Sequence, residues 1–185
     1  NNIVTTLVTS MGSIFSGATS FNQPIGSWDV SSVTNMSWGF YNAASFNQPI
    51  GNWEVSNVTN MSYMFQNATF NQPIGSWNVS NVINMGGMFS NATDFNQPIG
   101  SWNVSNVTDM SYMFSYASAF NQNIGSWNVG NVTNMFNMFN TATSFNQDLS
   151  GWCVSFFISE PTGFDTGATS WTGGTATRPQ WGASC

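Results

Sequence analysis

Six copies of Phe-Asn-Gln begin at Phe21, Phe46, Phe70, Phe95, Phe120 and Phe145, at spacings of 25, 24, 25, 25 and 25 residues. A tryptophan follows each by seven positions: Trp28, Trp53, Trp77, Trp102, Trp127 and Trp152. Self-similarity at this period predicts a solenoid, because a unit this short buries its apolar face only by stacking on its neighbours. The core of such a stack grows along an axis, which favours a displayed surface over an enclosed pocket.

Within one repeat the apolar spacing changes character. Ile25-x-x-Trp28-x-Val30 reads as a short strand, and the same positions return as Ile50/Trp53/Val55 through Leu149/Trp152/Val154. Strands one repeat apart would pair in parallel at roughly 4.8 Å. Further on, Met61, Met64, Phe65 and Ala68 stand at i, i+3, i+4 and i+7, the stripe of a two-turn helix. The residue before each leading methionine is Ser10, Asn35, Asn60, Asn84, Asp109 or Asn134, all favoured as helix N-caps. The expected fold is an α/β solenoid with a parallel β-sheet on one face and short helices on the other.

The asparagine of each tripeptide, Asn22, Asn47, Asn71, Asn96, Asn121 and Asn146, never varies. An inward-pointing asparagine stacked on its equivalents would form a ladder that satisfies the backbone of a tight bend.

Charge excludes several function classes. Only 4% of residues are Asp, Glu, Lys or Arg, against about 25% in a typical domain, and Arg178 is the single base. With a net charge of −6 there is no basic patch to neutralise phosphates or to contact anionic lipid. Nucleic acid is therefore not an expected partner. No apolar run approaches the ~20 residues of a membrane span. With no histidine or lysine and two cysteines, catalysis by those groups and a His/Cys metal centre are not expected, nor is any cofactor. Asp29 and Glu54 occupy equivalent positions in adjacent repeats, but Asn78, Asn103 and Asn128 continue the column, which reads as an exposed polar strand face. A carboxylate pair of the glycosidase type is thus not indicated. The chain is expected not to be an enzyme.

Cys153 and Cys185 are either two free buried thiols or a disulfide that pins the C-terminal segment onto the last coil. The second is the expectation, and it implies an oxidising compartment and export. Asn57, Asn67, Asn91, Asn106 and Asn131 stand in Asn-x-Ser/Thr sequons and are candidate glycosylation sites; Asn35, Asn60, Asn78 and Asn103 also match the pattern. Beyond Ser155 the repeat breaks down into a Gly- and Pro-containing segment with large apolar anchors. We therefore expect a solenoid over residues 1–154, its first repeat partial, and a loop-rich cap over 155–185. At the other end the chain enters in mid-coil, with Ile3 at the tryptophan position and Thr5 and Val8 at the two valine positions. Either further repeats precede it or another chain covers this face.

The stretch Phe-Asn-Gln-Pro-Ile-Gly-Ser-Trp-Asn-Val-Ser-Asn-Val-Thr-Asp-Met-Ser-Tyr-Met-Phe (residues 95–114) resembles the BspA-like class of leucine-rich repeats of bacterial surface proteins and mycoplasma-type surface lipoproteins. The ending, Gly151-Trp152-Cys153-Val154-Ser155 with Phe164-Asp165, Ala168, Trp171 and Trp181-Gly182, is similar to the end of such arrays. The resemblance implies a leucine-rich-repeat-like, right-handed coil, extracellular or on a cell surface, used in adhesion to a protein or glycan partner. Head-to-tail stacking of copies into a filament, through the open first coil, is the alternative. Ice binding by the column Thr34, Thr59, Thr108 and Thr133, interrupted by Ile83, is a third reading.

Overall fold

The structure is a computed structural model that describes residues 7–183; Ile3, Thr5 and Cys185 lie outside the described residues. Successive repeats stack in register. Parallel backbone bridges join Ser10 to Asn35, Asn35 to Asn60, Asn60 to Asn84, Asn84 to Asp109 and Asp109 to Asn134. Between the coils lie the apolar columns. Phe46, Phe70, Phe95, Phe120 and Phe145 are fully buried, as are Met61, Met85, Met110 and Met135. Phe65 lies 4.1 Å from Phe70, 5.5 Å from Phe40 and 5.8 Å from Phe89, all within 10° of parallel. Trp102 and Trp127 are 6.5 Å apart at 3°. Each buried aromatic contributes roughly 1.5–3 kcal/mol of apolar burial, so the columns dominate the driving force.

Where the spacing predicts a helix, the structure has a ladder of turns. Met61, Met64, Phe65 and Ala68 are all buried as expected of a stripe. Tyr63 and Asn67, however, have φ of 56° and 57°, in the left-handed region. The N–H groups of Met61, Tyr63, Phe65 and Asn67 donate to the carbonyls of Asn84, Gly86, Met88 and Ser90 in the next coil. Those of Met64, Gln66 and Ala68 donate three residues back, to Met61, Tyr63 and Phe65. An α-helix would keep its N–H groups within itself and leave neighbouring coils joined only by side chains. The left-handed residues cost roughly 1–2 kcal/mol each, and in return alternate N–H groups turn outward to make backbone bonds between coils.

The expected strand is also replaced. Trp53 N–H donates to Ile50 O and Val58 N–H to Val55 O, both i to i−3 turns. Parallel pairing falls instead at the column read as an N-cap. There the side-chain oxygens of Asn35, Asn60, Asn84 and Asp109 accept from the N–H two residues on, at 3.0, 2.9, 2.8 and 2.9 Å. The capping chemistry is present, with no helix after it. Among the described residues the one helical element is a short 3₁₀ turn, Gly174–Thr177.

The glycine after the Ile column is set by the stack. A Cβ at Gly26 or Gly75 would lie 2.5 Å from the carbonyl oxygen of Pro49 or Pro98 in the next coil, and Gly51 and Gly100 are as tightly placed. At Gly151, where no such coil follows, the nearest atom is 3.9 Å away.

The break expected after Val154 is partial. Asn137, Phe139 and Thr141 donate to Thr162, Phe164 and Thr166, which carries the turn ladder one coil further. Gly163 and Gly167 hold its two left-handed positions at φ 68° and 80°. Phe164, Ala168 and Trp171 continue the buried columns. The remainder folds over this coil, tied by Leu149 N–H to Thr177 O and Gly182 N–H to Phe157 O. Arg178 clamps it: Nε donates to Asp165 at 2.6 Å, Nη1 and Nη2 donate to the carbonyls of Gly174 and Trp171, and the guanidinium lies 4.1 Å over the Trp171 ring.

Candidate binding surfaces

Stacking in register turns each repeat position into a column on the surface, so a site here is a row of equivalent side chains. The polar rows are tied to the coil beneath them. Asn22 Oδ1 accepts from Asn47 N–H and Gln48 Nε2, both at 3.0 Å. The pattern repeats from Asn47, Asn71, Asn96 and Asn121 to the next Asn N–H and Gln amide. This is the asparagine ladder, running on to Asn146. It lies at the exposed or half-buried rim of the coils and not inside the core. The rim is where an extended corner leaves a backbone N–H without a partner.

The column Asp29, Glu54, Asn78, Asn103 and Asn128 is exposed throughout. Its carboxylate and amide oxygens accept from the N–H of Ser31, Ser56, Ser80, Ser105 and Gly130, two residues on, at 3.0–3.2 Å. The Ser31 hydroxyl, and then its backbone N–H, hold the Asp29 carboxyl below the usual carboxylate range. These residues therefore shape their own turns. The amide hydrogens of Asn78, Asn103 and Asn128 are the part left for a ligand.

The candidate glycosylation residues share a feature that the sequons do not reveal. Asn57, Asn106 and Asn131 donate through Nδ2 to the carbonyls of Ser31, Ser80 and Ser105 at 2.8, 2.7 and 2.7 Å. Asn67 and Asn91 donate to the Oδ1 atoms of Asn42 and Asn67 at 2.6 and 2.7 Å. In all five, the nitrogen that would carry a sugar already anchors one coil to another. The threonines behave alike: Thr34, Thr59, Thr108 and Thr133 donate to Thr9, Thr34, Ile83 and Thr108 carbonyls. A shallow groove of about 580 Å³ runs between these two rows, lined by Asn57, Thr59, Asn81, Ile83, Asn106 and Thr108.

Inside, each tryptophan from Trp53 to Trp152 donates its indole N–H to the carbonyl of Ile25, Ile50, Ile74, Ile99 or Ile124 in the preceding coil, at 3.0–3.2 Å. No cysteine among the described residues is free, and Cys153 is disulfide-bonded; Cys185 lies outside them. In the cap, burial, and then the Asp165 charge, push the Glu160 carboxyl above its ordinary value. It borders a cavity of about 360 Å³ beside Arg178, Gln180 and Trp181.

One row was not read from the sequence. On the turn face, Trp38, Tyr63 and Tyr112 occupy one column, flanked by Tyr41, Tyr116 and Phe136. Trp38 stacks on Tyr63 at 4.2 Å and meets Tyr41 edge-on at 4.9 Å; Tyr112 meets Phe136 edge-on at 5.2 Å. Tyr116 is 52% exposed and Trp38 and Phe136 each 37%. The signal was aromatic residues in a column that varies, Ser13, Gly87 and Asn137 being its other members. Invariant columns mark the core, whereas this one changes from repeat to repeat.

Stacked, in-register repeats over most of the chain define a repeat protein. The model of the family described as "Mycoplasma protein of unknown function, DUF285" matches residues 1–94 and again 68–170, and the chain belongs to that family. No curated protein and no solved structure matches it. Among the described residues no helix is long and apolar enough to cross a membrane, and no three His, Cys, Asp or Glu side chains are grouped to hold a metal.

Proposed function

We propose that the chain is a non-catalytic extracellular or cell-surface repeat protein of the BspA-like leucine-rich-repeat type, which binds a protein or glycan partner through its repeated rows. In this reading the fold is a right-handed solenoid in which bridges stand in for the sheet and turns for the helices. The observation that carries it is the fixing of whole rows of uncharged polar side chains by bonds to the coil beneath, as in the row from Asn57 to Asn131. Rows held this way present many weak contacts at a constant pitch with little ordering cost, which suits avidity. Pairing of Cys153 with Cys185 completes the proposal and fits an oxidising compartment. Flow-cell binding of the purified protein to intact bacterial and animal cells, and to glycan and protein arrays, tests it. Saturable retention on one of these surfaces is expected; no retention on any would contradict it.

A second reading is a subunit of an extracellular filament, in which copies stack head to tail so that the buried columns of one continue into the next. Negative-stain electron microscopy at rising concentration distinguishes the two: fibres support assembly, and isolated particles at every concentration remove it.

A further inference from the structure

The turn face differs in chemistry from the polar faces. Its aromatic row runs along the stack axis, and an amide row runs beside it four residues further along each coil. Asn67 Nδ2 donates to Asn42 Oδ1 at 2.6 Å and Asn91 Nδ2 to Asn67 Oδ1 at 2.7 Å, leaving each amide one N–H for a ligand. The row bridges its own gap. A side-chain carbon at Gly87 would collide with the Tyr63 ring, so that ring lies across the Gly87 coil. Burial, and then the charges of Asp109 and Tyr112, push the Tyr63 phenol above its ordinary value.

We propose that this ridge, from Trp38 across Tyr63 to Tyr112 and Tyr116, is a docking surface for a strand of neutral polysaccharide lying along the stack. The observations select this occupant by charge and by shape. Aromatic faces carry negative quadrupole potential and attract electropositive C–H and O–H groups. Asp109 adds an acceptor, and the net charge of −6 disfavours an anionic chain. A sugar polymer offers apolar ring faces to Trp38, Tyr63 and Tyr112 and hydroxyl edges to the amide row. The row's straight course fits an elongated polymer better than a compact partner. The side chains hold this geometry before binding, since the backbone N–H groups of Trp38, Tyr63, Tyr112 and Tyr116 are each bonded to the next coil.

The inference names the ligand class for the surface-binding reading and rests on it. The test uses the full chain and a variant with Trp38→Asn, Tyr112→Asn and Tyr116→Asn. All three positions have φ between 57° and 59°, where asparagine is well tolerated, and asparagine already occupies Asn137 and Asn42 in these columns. Depletion assays on microcrystalline cellulose and on chitin are compared with anionic alginate gel. The wild type is expected to bind cellulose or chitin and to ignore alginate. The triple variant should bind at least about tenfold more weakly, the scale of roughly 1.4 kcal/mol from lost stacking, with an unchanged unfolding midpoint. Equal binding by the variant, or no depletion of wild type on either neutral matrix, overturns the ridge. Should the wild type then still bind cells or arrays, and lose that binding on Asn103→Ala, surface binding stands without it.

Discussion

Single residues in this chain act through the coil above or below them, and substitutions at equivalent positions should differ according to that neighbour. Gly100→Ala drives a methyl into the carbonyl of Asn123, whereas Gly151→Ala meets nothing closer than 3.9 Å. The first should cost about 1–3 kcal/mol of overpacking and the second almost nothing, read as denaturant midpoints. The asparagine ladder makes a similar contrast. Asn96 Oδ1 accepts from Asn121 N–H and Gln122 Nε2 at 2.9 Å each. Asn96→Ala leaves the Asn121 N–H without its acceptor, while Gln122 keeps its bond to the Asn96 carbonyl, and should cost about 0.5–1.5 kcal/mol. Asn96→Asp keeps the acceptor and should retain most of that stability.

Within an element, the turn ladder places a left-handed residue twice per coil. Asparagine and glycine suit these sites; a β-branched residue does not. Thr141 has φ 57° and its hydroxyl donates only to the neighbouring Asn140 side chain. Thr141→Asn should therefore raise stability by about 1 kcal/mol, measured by thermal unfolding. This element also shows what could be read in advance. The 25-residue period and the identity of the buried columns were legible because burial follows directly from apolar spacing. The backbone between them was not, since a stripe such as Met61, Met64, Phe65 and Ala68 is buried equally well by a helix or by alternating turns. The recurrence of Gly17, Asn42, Asn67 and Asn91 was the clue to the turns, as these residues accept positive φ. The aromatic ridge escaped because its column includes Ser13, Gly87 and Asn137. The anchoring of the sequon amides escaped because it depends on which carbonyl lies beneath.

At the scale of the whole molecule, stability should be a sum over coils and their contacts, with the C-terminal cap titrating apart from the rest. The Glu160 carboxyl sits above its ordinary value near 4.5, first through burial and then through Asp165. A raised carboxyl contributes stability that is fully present below its unfolded value and is lost as pH rises through the folded one. Cap stability should therefore fall as pH climbs above about 4.5, and Glu160→Gln should flatten that fall, followed by proteolysis of the C-terminal segment across pH. Asp29 and Asp148 run the other way: their serine-bonded carboxyls lie below 3.8, so their contribution disappears only in stronger acid.

In-register stacking makes its sharpest demand on the indoles. Hydrogen exchange of the tryptophan side-chain N–H groups, followed by NMR, should show Trp53, Trp77, Trp102, Trp127 and Trp152 strongly protected by the carbonyls of the preceding coil, and Trp38 exchanging freely. Fast exchange at all of them would contradict the stacked coil.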